Sequence, residues 1–348
     1  MVDGKQKRSF KERVETITGN QTALLVLVLI VLVGVFTPLS RGIFLSTSVG
    51  STILTDWGAY ILLAVAQTLV VISGGIDLSV GATLSLATVT SGWVMVNGLQ
   101  LTSKLSGPEA WPALCLAAVV AVITGLVVGA VNALLINVFR IVPFIATLAT
   151  FGAATGMAII ISGGMPLQGP TDFGLINPIR IPGIDPSVFD TGLLSPMVII
   201  MALITLVVGL FLHKARFGLY TYAIGSNVFA ARAAGISVGR QITKIYLVGG
   251  ALSGFAGFYA YIRLGGGSPT AGAGMELYAI AATVIGGASL MGGVGRMWGT
   301  VFGTLILITV QSGLLMIGVA TDWKQIVVAV LIAGAVAVQT LQKKNGAR

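Results

Sequence analysis

The chain has 348 residues, of which 55% are hydrophobic and only 9% charged. A soluble domain carries about a quarter charged residues, so this balance, with a mean hydropathy of +0.98, excludes an ordinary soluble enzyme and makes lipid the main solvent. The net charge of +9 would suit a nucleic-acid surface, but its distribution along the chain assigns it elsewhere. The 47 glycines lie inside apolar runs, as they do where transmembrane helices pack backbone against backbone. The alternating pattern of barrel strands is absent. The expected fold is all-α, a polytopic helical membrane protein.

The N-terminal tail, 1–21, is polar and basic ("MVDGKQKRSFKERVE"). An apolar span follows with no small-residue cleavage site, so the tail leads into an uncleaved first helix. A bilayer core about 30 Å thick needs roughly 20 apolar residues per helix. That ruler predicts ten spans within a transmembrane domain 22–342, at about 22–38, 50–73, 79–97, 112–138, 143–162, 194–213, 241–262, 276–290, 294–318 and 323–341. The third and eighth are short and glycine-rich, open to tilting, breaking or partial re-entry. A tail, 343–348, ends the chain. With a cytoplasmic N-terminus and every span crossing, the outside segments hold Arg41, Lys104, Arg180, Arg263 and Lys324, and the other fifteen of the 20 Lys and Arg lie inside. This is the positive-inside bias. It puts both termini in the cytoplasm and the +9 beside anionic lipid, with no nucleic-acid partner.

Two non-membrane segments stand out. The stretch 163–195 carries Pro166, Pro170, Pro178, Pro182 and Pro186 with Asp172, Asp185 and Asp190, and reads as an ordered external lobe. The stretch 216–240 is internal by the charge count. Within it, Ser226 or Asn227 can cap a short helix, "VFAARAA", that Gly235 can end. Such a helix suits docking to a cytosolic partner, or a linker on the membrane surface. "VVISGGIDLSVG" and "TVIGGASLMGGVG" form a faint internal echo, too short to establish a duplication.

No G-x-x-x-x-G-K-[ST] sequence occurs, and "GGVGRMWG" between two spans reads as a turn. Cys115 is single, which excludes an internal disulfide, and lies in an apolar run as a packing residue. His213 has no neighbouring ligand in sequence. No residue is assigned a catalytic, cofactor or metal role. Asp77, Glu276, Asp56 and Asp322 fall at the ends of predicted spans, which argues against a proton or sodium relay. Energy for transport would then come from another subunit.

The motifs resemble the membrane permease subunit of ribose-type ABC sugar importers, from about Asp56 to Gln342. The resemblance rests on "SGGIDLSVGATLSL", "VNALLINVFRIVPFIATLAT", "GSNVFAARAAGISV" and "MELYAIAATVIGGASLMGGVG", in that order. That family usually has Asn-Gly at Asn132-Ala133 and an acidic residue at Tyr278. The resemblance implies a homodimer or a pair with a close paralogue, a cytosolic ATPase that uses the ATP, an extracytoplasmic sugar-binding protein, and location in the inner (plasma) membrane of a prokaryote. It implies ATPase coupling through Gly225, Asn227, Ala231, Arg232, Gly235 and Ile236. The transported solute is expected to be a monosaccharide, ribose- or xylose-like. The alternatives are an ion-coupled secondary transporter or channel, and an ABC permease for a non-sugar solute.

Asp77 precedes an apolar span, where an Asp caps free helix N–H groups. With Gly74, Gly75 and Ser79 it reads as a turn organiser, against a gate contact or a proton relay. A neutral sugar needs hydroxyl, amide and aromatic partners, for which Gln67, Asn132, Phe144, Thr147 and Gln311 are the candidates. Each can equally be an interhelical hydrogen bond or a packing residue.

Overall fold

The computed structural model describes residues 21–99, 111–169 and 194–319, with helical positions scattered between 323 and 337. Both tails, most of the external lobe and Asp322 lie outside the described residues, as does the last predicted span except for those scattered positions. The helices are α1 (Gln21–Leu39), α2 (Thr47–Ile72), α3 (Ser79–Trp93, continued as a π-helix over Val94–Gly98), α4 (Trp111–Asn137) and α5 (Pro143–Ser162). They continue with α6 (Pro196–Lys214), α7 (Arg216–Ser226), α8 (Val228–Ala233), α9 (Val238–Leu264), α10 (Met275–Ile285) and α11 (Met297–Met316). Eight of these, counting α3 with its π-turn, are long and apolar enough to cross a bilayer. Their boundaries have local causes. Ser46 and Ser195 cap α2 and α6, accepting from the Val49 and Val198 amides. Pro143 and Pro196 open α5 and α6, where a missing N–H costs nothing. Gly163 and Gly265 close α5 and α9 in the left-handed conformation.

The helices form two layers. In α2, α3 and α9, 78–83% of the apolar stretch is buried inside the protein, against 11–28% in α1, α4, α5 and α6. The outer helices turn Ile30, Val31, Val127 and Ile160 outward, as lipid requires. The most extensive helix contact is between α4 and α9. A Cβ on Gly125, Gly129, Gly250 or Gly254 would run into the backbone of the facing helix. Each helix thus presents a small-xxx-small pair, and the main chains touch.

The eighth predicted span, 276–290, is corrected by the structure. Helix α10 has only 11 residues, about 16 Å, and cannot span by itself. Before it come a two-residue strand, Gly266–Gly267, and a run of turns, 269–274. Gly266 and Gly267 (β2) pair antiparallel with Gln168 and Leu167 (β1). Thr88 of α3 then binds Ser268, donating to its carbonyl (2.8 Å) and accepting from its amide (3.2 Å), and the Gly272 amide donates to Ser85 Oγ (2.8 Å). Non-helical backbone at membrane depth persists only where protein satisfies its polar groups, and the hydroxyls of α3 do so here. From there α10 follows α2. Thr68 lies 3.2 Å from Thr283 and 2.7 Å from Thr300, and the Gly293 amide donates to the Ile72 carbonyl at the far end (2.8 Å).

The α4–α9 contact yields a prediction. Gly125→Val and Gly250→Val should each destabilise the purified protein by about 1–3 kcal/mol, the range for overpacking a filled interior, and lower its melting temperature in detergent. Gly152→Val on α5, where a Cβ meets nothing within 4 Å, should melt like the parent. Equal melting of all three would show that the backbone approach is not a stabilising contact.

Candidate functional site

Two sites flank the end of α2 that receives Gly293. The first is the turn 73–78. Gly74 has φ +86, a conformation that favours glycine, and a Cβ on Gly75 would press on Val70 and the Tyr246 hydroxyl (3.0 and 3.1 Å). Asp77 stands one residue before the N-cap, Leu78, and its Oδ1 accepts from Ser79 N and Oγ (2.7 and 2.6 Å). The relay continues inward. Asn132 Nδ2 donates to Ser79 Oγ (2.9 Å), and Thr150 donates to Asn132 Oδ1 (2.5 Å). Thr147 accepts from the Leu78 amide (3.2 Å) and donates toward the Ile76 carbonyl (3.1 Å). Asp77, Ser79, Asn132, Thr147 and Thr150 are all buried. Burial pushes the Asp77 carboxyl above the ordinary range, against the two Ser79 hydrogen bonds that favour its ionised form.

The second site is the elbow formed by α7 and α8. Asn227, not Ser226, caps α8, accepting from the Phe229 and Ala230 amides (both 3.0 Å). Gly235, at φ +81, turns the chain out. The elbow rests on the loops after α2 and α10. A Cβ on Gly225 would strike the Ile72 carbonyl and lie 2.6 Å from the Gly293 amide. Gly292 lies similarly close to Gly74 and to the Gly225 carbonyl. Tyr222 donates to the Gly295 carbonyl (2.7 Å). Burial pushes its phenol up, partly offset by the Arg296 guanidinium, so it stays a neutral donor. The two echo segments of the sequence are therefore spatial neighbours, one at each side of this floor.

The six residues of the expected coupling set divide between two faces. Asn227, Arg232 and Gly235 are exposed. Ala231 is buried against Ile224 and Val238, with Ile236 packed beside it, and Gly225 is pressed on the floor. A six-residue helix has one inner face, and Ala231 is on it. The outward face instead carries Phe229, 77% exposed, which composition did not single out. Leu219 on α7 is also exposed.

The expected path residues are not brought together. Asn132 and Thr147 belong to the Asp77 network. Phe144 is exposed on the outer side of α5, Gln67 is fully buried in α2, and Gln311 is partly buried in α11. Thr147 donates to the Phe144 carbonyl within α5 (3.2 Å), but no described hydrogen bond joins the side chains of these three to that network.

A family model described as branched-chain amino acid transport system / permease component matches residues 50–336. The ribose import permease protein RbsC of Escherichia coli strain K12 is 34% identical over 318 residues, 89% of this chain and 91% of that protein. Its namesake in Bacillus subtilis strain 168 is 36% identical over 279 residues, 79% of each. The D-allose transport system permease protein AlsC of Escherichia coli strain K12 is 33% identical over 321 residues, 91% of each. No solved structure matches the chain. With the family match covering most of its length, the chain belongs to the branched-chain amino acid transport system / permease component family.

Proposed function

We propose that this chain forms the translocation path of an ATP-driven importer for a simple sugar, in the inner membrane of a prokaryote. It works as a dimer, with itself or a close paralogue, beside a cytosolic ATPase and an extracytoplasmic binding protein. ATP is consumed by the ATPase, not by this chain. The sugar reading draws on the relatives, whose names specify ribose and D-allose. The observation that carries the coupling is the elbow. It shows exposed Phe229 and Leu219 outside any span and stands directly on the backbone of Ile72 and Gly293. A push on Phe229 from a cytosolic partner reaches α2 and the loop after α10 without an intervening side chain. Asp77 acts as the organiser of the turn that receives this push.

Phe229→Glu places a charge where an apolar side chain would be desolvated by the partner. It should leave membrane insertion intact and lower recovery of the ATPase with the purified protein. An anchoring aromatic is worth about 2 kcal/mol or more, so recovery should fall at least about tenfold. Gly225→Val should preserve ATPase recovery better than Phe229→Glu while reducing uptake per ATP, because it displaces the floor and not the contact. Parental recovery and uptake per ATP in both variants would show that the elbow does not transmit force.

The turn makes a separate prediction. Asp77→Asn retains an acceptor for the Ser79 amide and hydroxyl and should keep most uptake. Asp77→Leu orphans both donors, at about 1–3 kcal/mol for each buried unpaired group, and should lower the melting temperature and the yield of assembled complex. Loss of uptake in Asp77→Asn with normal melting and assembly would make the negative charge itself functional.

A further inference from the structure

A groove of about 610 Å³ opens where α6 gives way to α7, lined by His213, Lys214, Arg216, Leu219 and Tyr222 among others. The chain bends there with Ala215 in an extended conformation. Gly218 lets α7 fold back on α6, since a Cβ at that position would strike the Leu212 carbonyl. Lys214, from the last turn of α6, and Arg216, from the first turn of α7, therefore stand on one recess together with the His213 imidazole. All three side chains are exposed. Tyr222 is held in place by its hydrogen bond to the Gly295 carbonyl (2.7 Å), and the Arg296 guanidinium is close enough to act on its phenol.

No described carboxylate answers these cations. Among the described residues the one ion pair is Asp56–Arg263, and Asp77 is buried and bonded to Ser79. The depth of the groove selects its occupant. Helix α6 has 19 residues, about 28 Å, close to the hydrocarbon core of a bilayer at about 30 Å. Its last turn therefore emerges at the level of the lipid phosphates, on the face that the charge count assigns to the cytoplasm. Within two turns of Lys214, the side chains of Val207, Leu210 and Phe211 are exposed and apolar, as acyl chains require. Exposed cations at this level are the ordinary positive-inside pattern, but here they converge on a recess from two helices. Basic recesses between helices on the cytoplasmic side bind anionic head groups. A soluble anion would use the cations alone, whereas a phospholipid uses the apolar side chains as well.

We propose that His213, Lys214 and Arg216 form a seat for the phosphate of an anionic phospholipid of the cytoplasmic leaflet, whose acyl chains lie along Leu210 and Phe211. The phosphate bridges the end of α6 to the start of α7 across the bend at Ala215. Helix α7 carries the elbow that rests on Ile72 and Gly293, so the lipid is a fixed part of the joint on which a cytosolic partner would push. The seat does not depend on which solute the chain moves.

The test uses the full-length permease, purified without its ATPase and titrated in neutral detergent with phosphatidylglycerol or phosphatidylcholine. Bound lipid is counted by native mass spectrometry. The parent should retain phosphatidylglycerol in preference to phosphatidylcholine, and an excess of inorganic phosphate should leave it bound. Each basic side chain beside anionic lipid is worth about fivefold in affinity, so Lys214→Gln with Arg216→Gln should weaken phosphatidylglycerol binding at least about tenfold, at an unchanged melting temperature. Arg140→Gln with Lys244→Gln removes the same charge from exposed positions that do not line the groove, and should stay within about twofold of the parent. Equal weakening in the two double variants would reduce the effect to diffuse surface charge and overturn the seat. So would equal retention of phosphatidylcholine, or displacement by inorganic phosphate, which would assign the groove to a soluble anion. Parental lipid binding by Lys214→Gln with Arg216→Gln, with recovery of the ATPase lost, would assign the groove to the ATPase instead.

Discussion

The architecture depends on the backbone-to-backbone approach of α4 and α9. In lipid, helices gain nothing by hiding apolar surface from one another, so close packing must supply the attraction. Removing four Cβ atoms, at Gly125, Gly129, Gly250 and Gly254, lets the two main chains meet. Helix α9 is then enclosed by α2, α3 and α4, and most of its apolar length is buried. A helix of 27 residues held this way is a rod about 40 Å long. The elbow adjoins one end at Val238, and Arg263 stands at the other. One stiff element therefore joins the elbow to the Asp56–Arg263 pair.

Some polar side chains of the spans are closed into bonded networks, and others are not. The relay from Thr150 through Asn132 and Ser79 to Asp77 is buried and bonded throughout. The threonine cluster of Thr68, Thr283 and Thr300 is likewise closed on itself. Both fix the relation between neighbouring elements and present nothing to a solute. Other buried polar atoms, among them both side-chain atoms of Gln67 and one carboxylate oxygen of Glu276, have no hydrogen-bond partner among the described residues.

Much of this fold was legible in the sequence because a bilayer imposes a length. The ruler places α1, α2, α4, α5, α6 and α9 within three residues of their observed ends, and the caps and C-terminal glycines supply the punctuation. It failed at 276–290, where hydropathy measures apolarity and not backbone conformation. The turn after Ile285, in which Gly287 takes a positive φ, reads in composition much like the continuation of a glycine-rich helix. The elbow was legible as a capped helix, but not which side of it faces outward. Six residues are too few for a periodic pattern, and the burial of Ala231 is decided by Ile224 and Val238. The candidate path residues were chosen for their chemistry one at a time. Asn132 and Thr147 have been absorbed into the scaffold.

The scarcity of charge then has a mechanical sense. A chain with 9% charged residues has few groups for an ion relay, and among the described residues Asp77 is bonded to Ser79 and Asp56 to Arg263. It can move helices. The floor beneath the elbow is nearly bare backbone, in which Gly225, Gly292, Gly293 and Gly74 bring main chains into direct contact. Side chains would yield by changing rotamer and absorb part of a displacement, whereas main chains in contact transmit it. The same residue type that lets α9 seat against α4 also makes the elbow stiff against α2. A displacement of the elbow therefore reaches the last turn of α2 at Ile72 through main-chain contact alone.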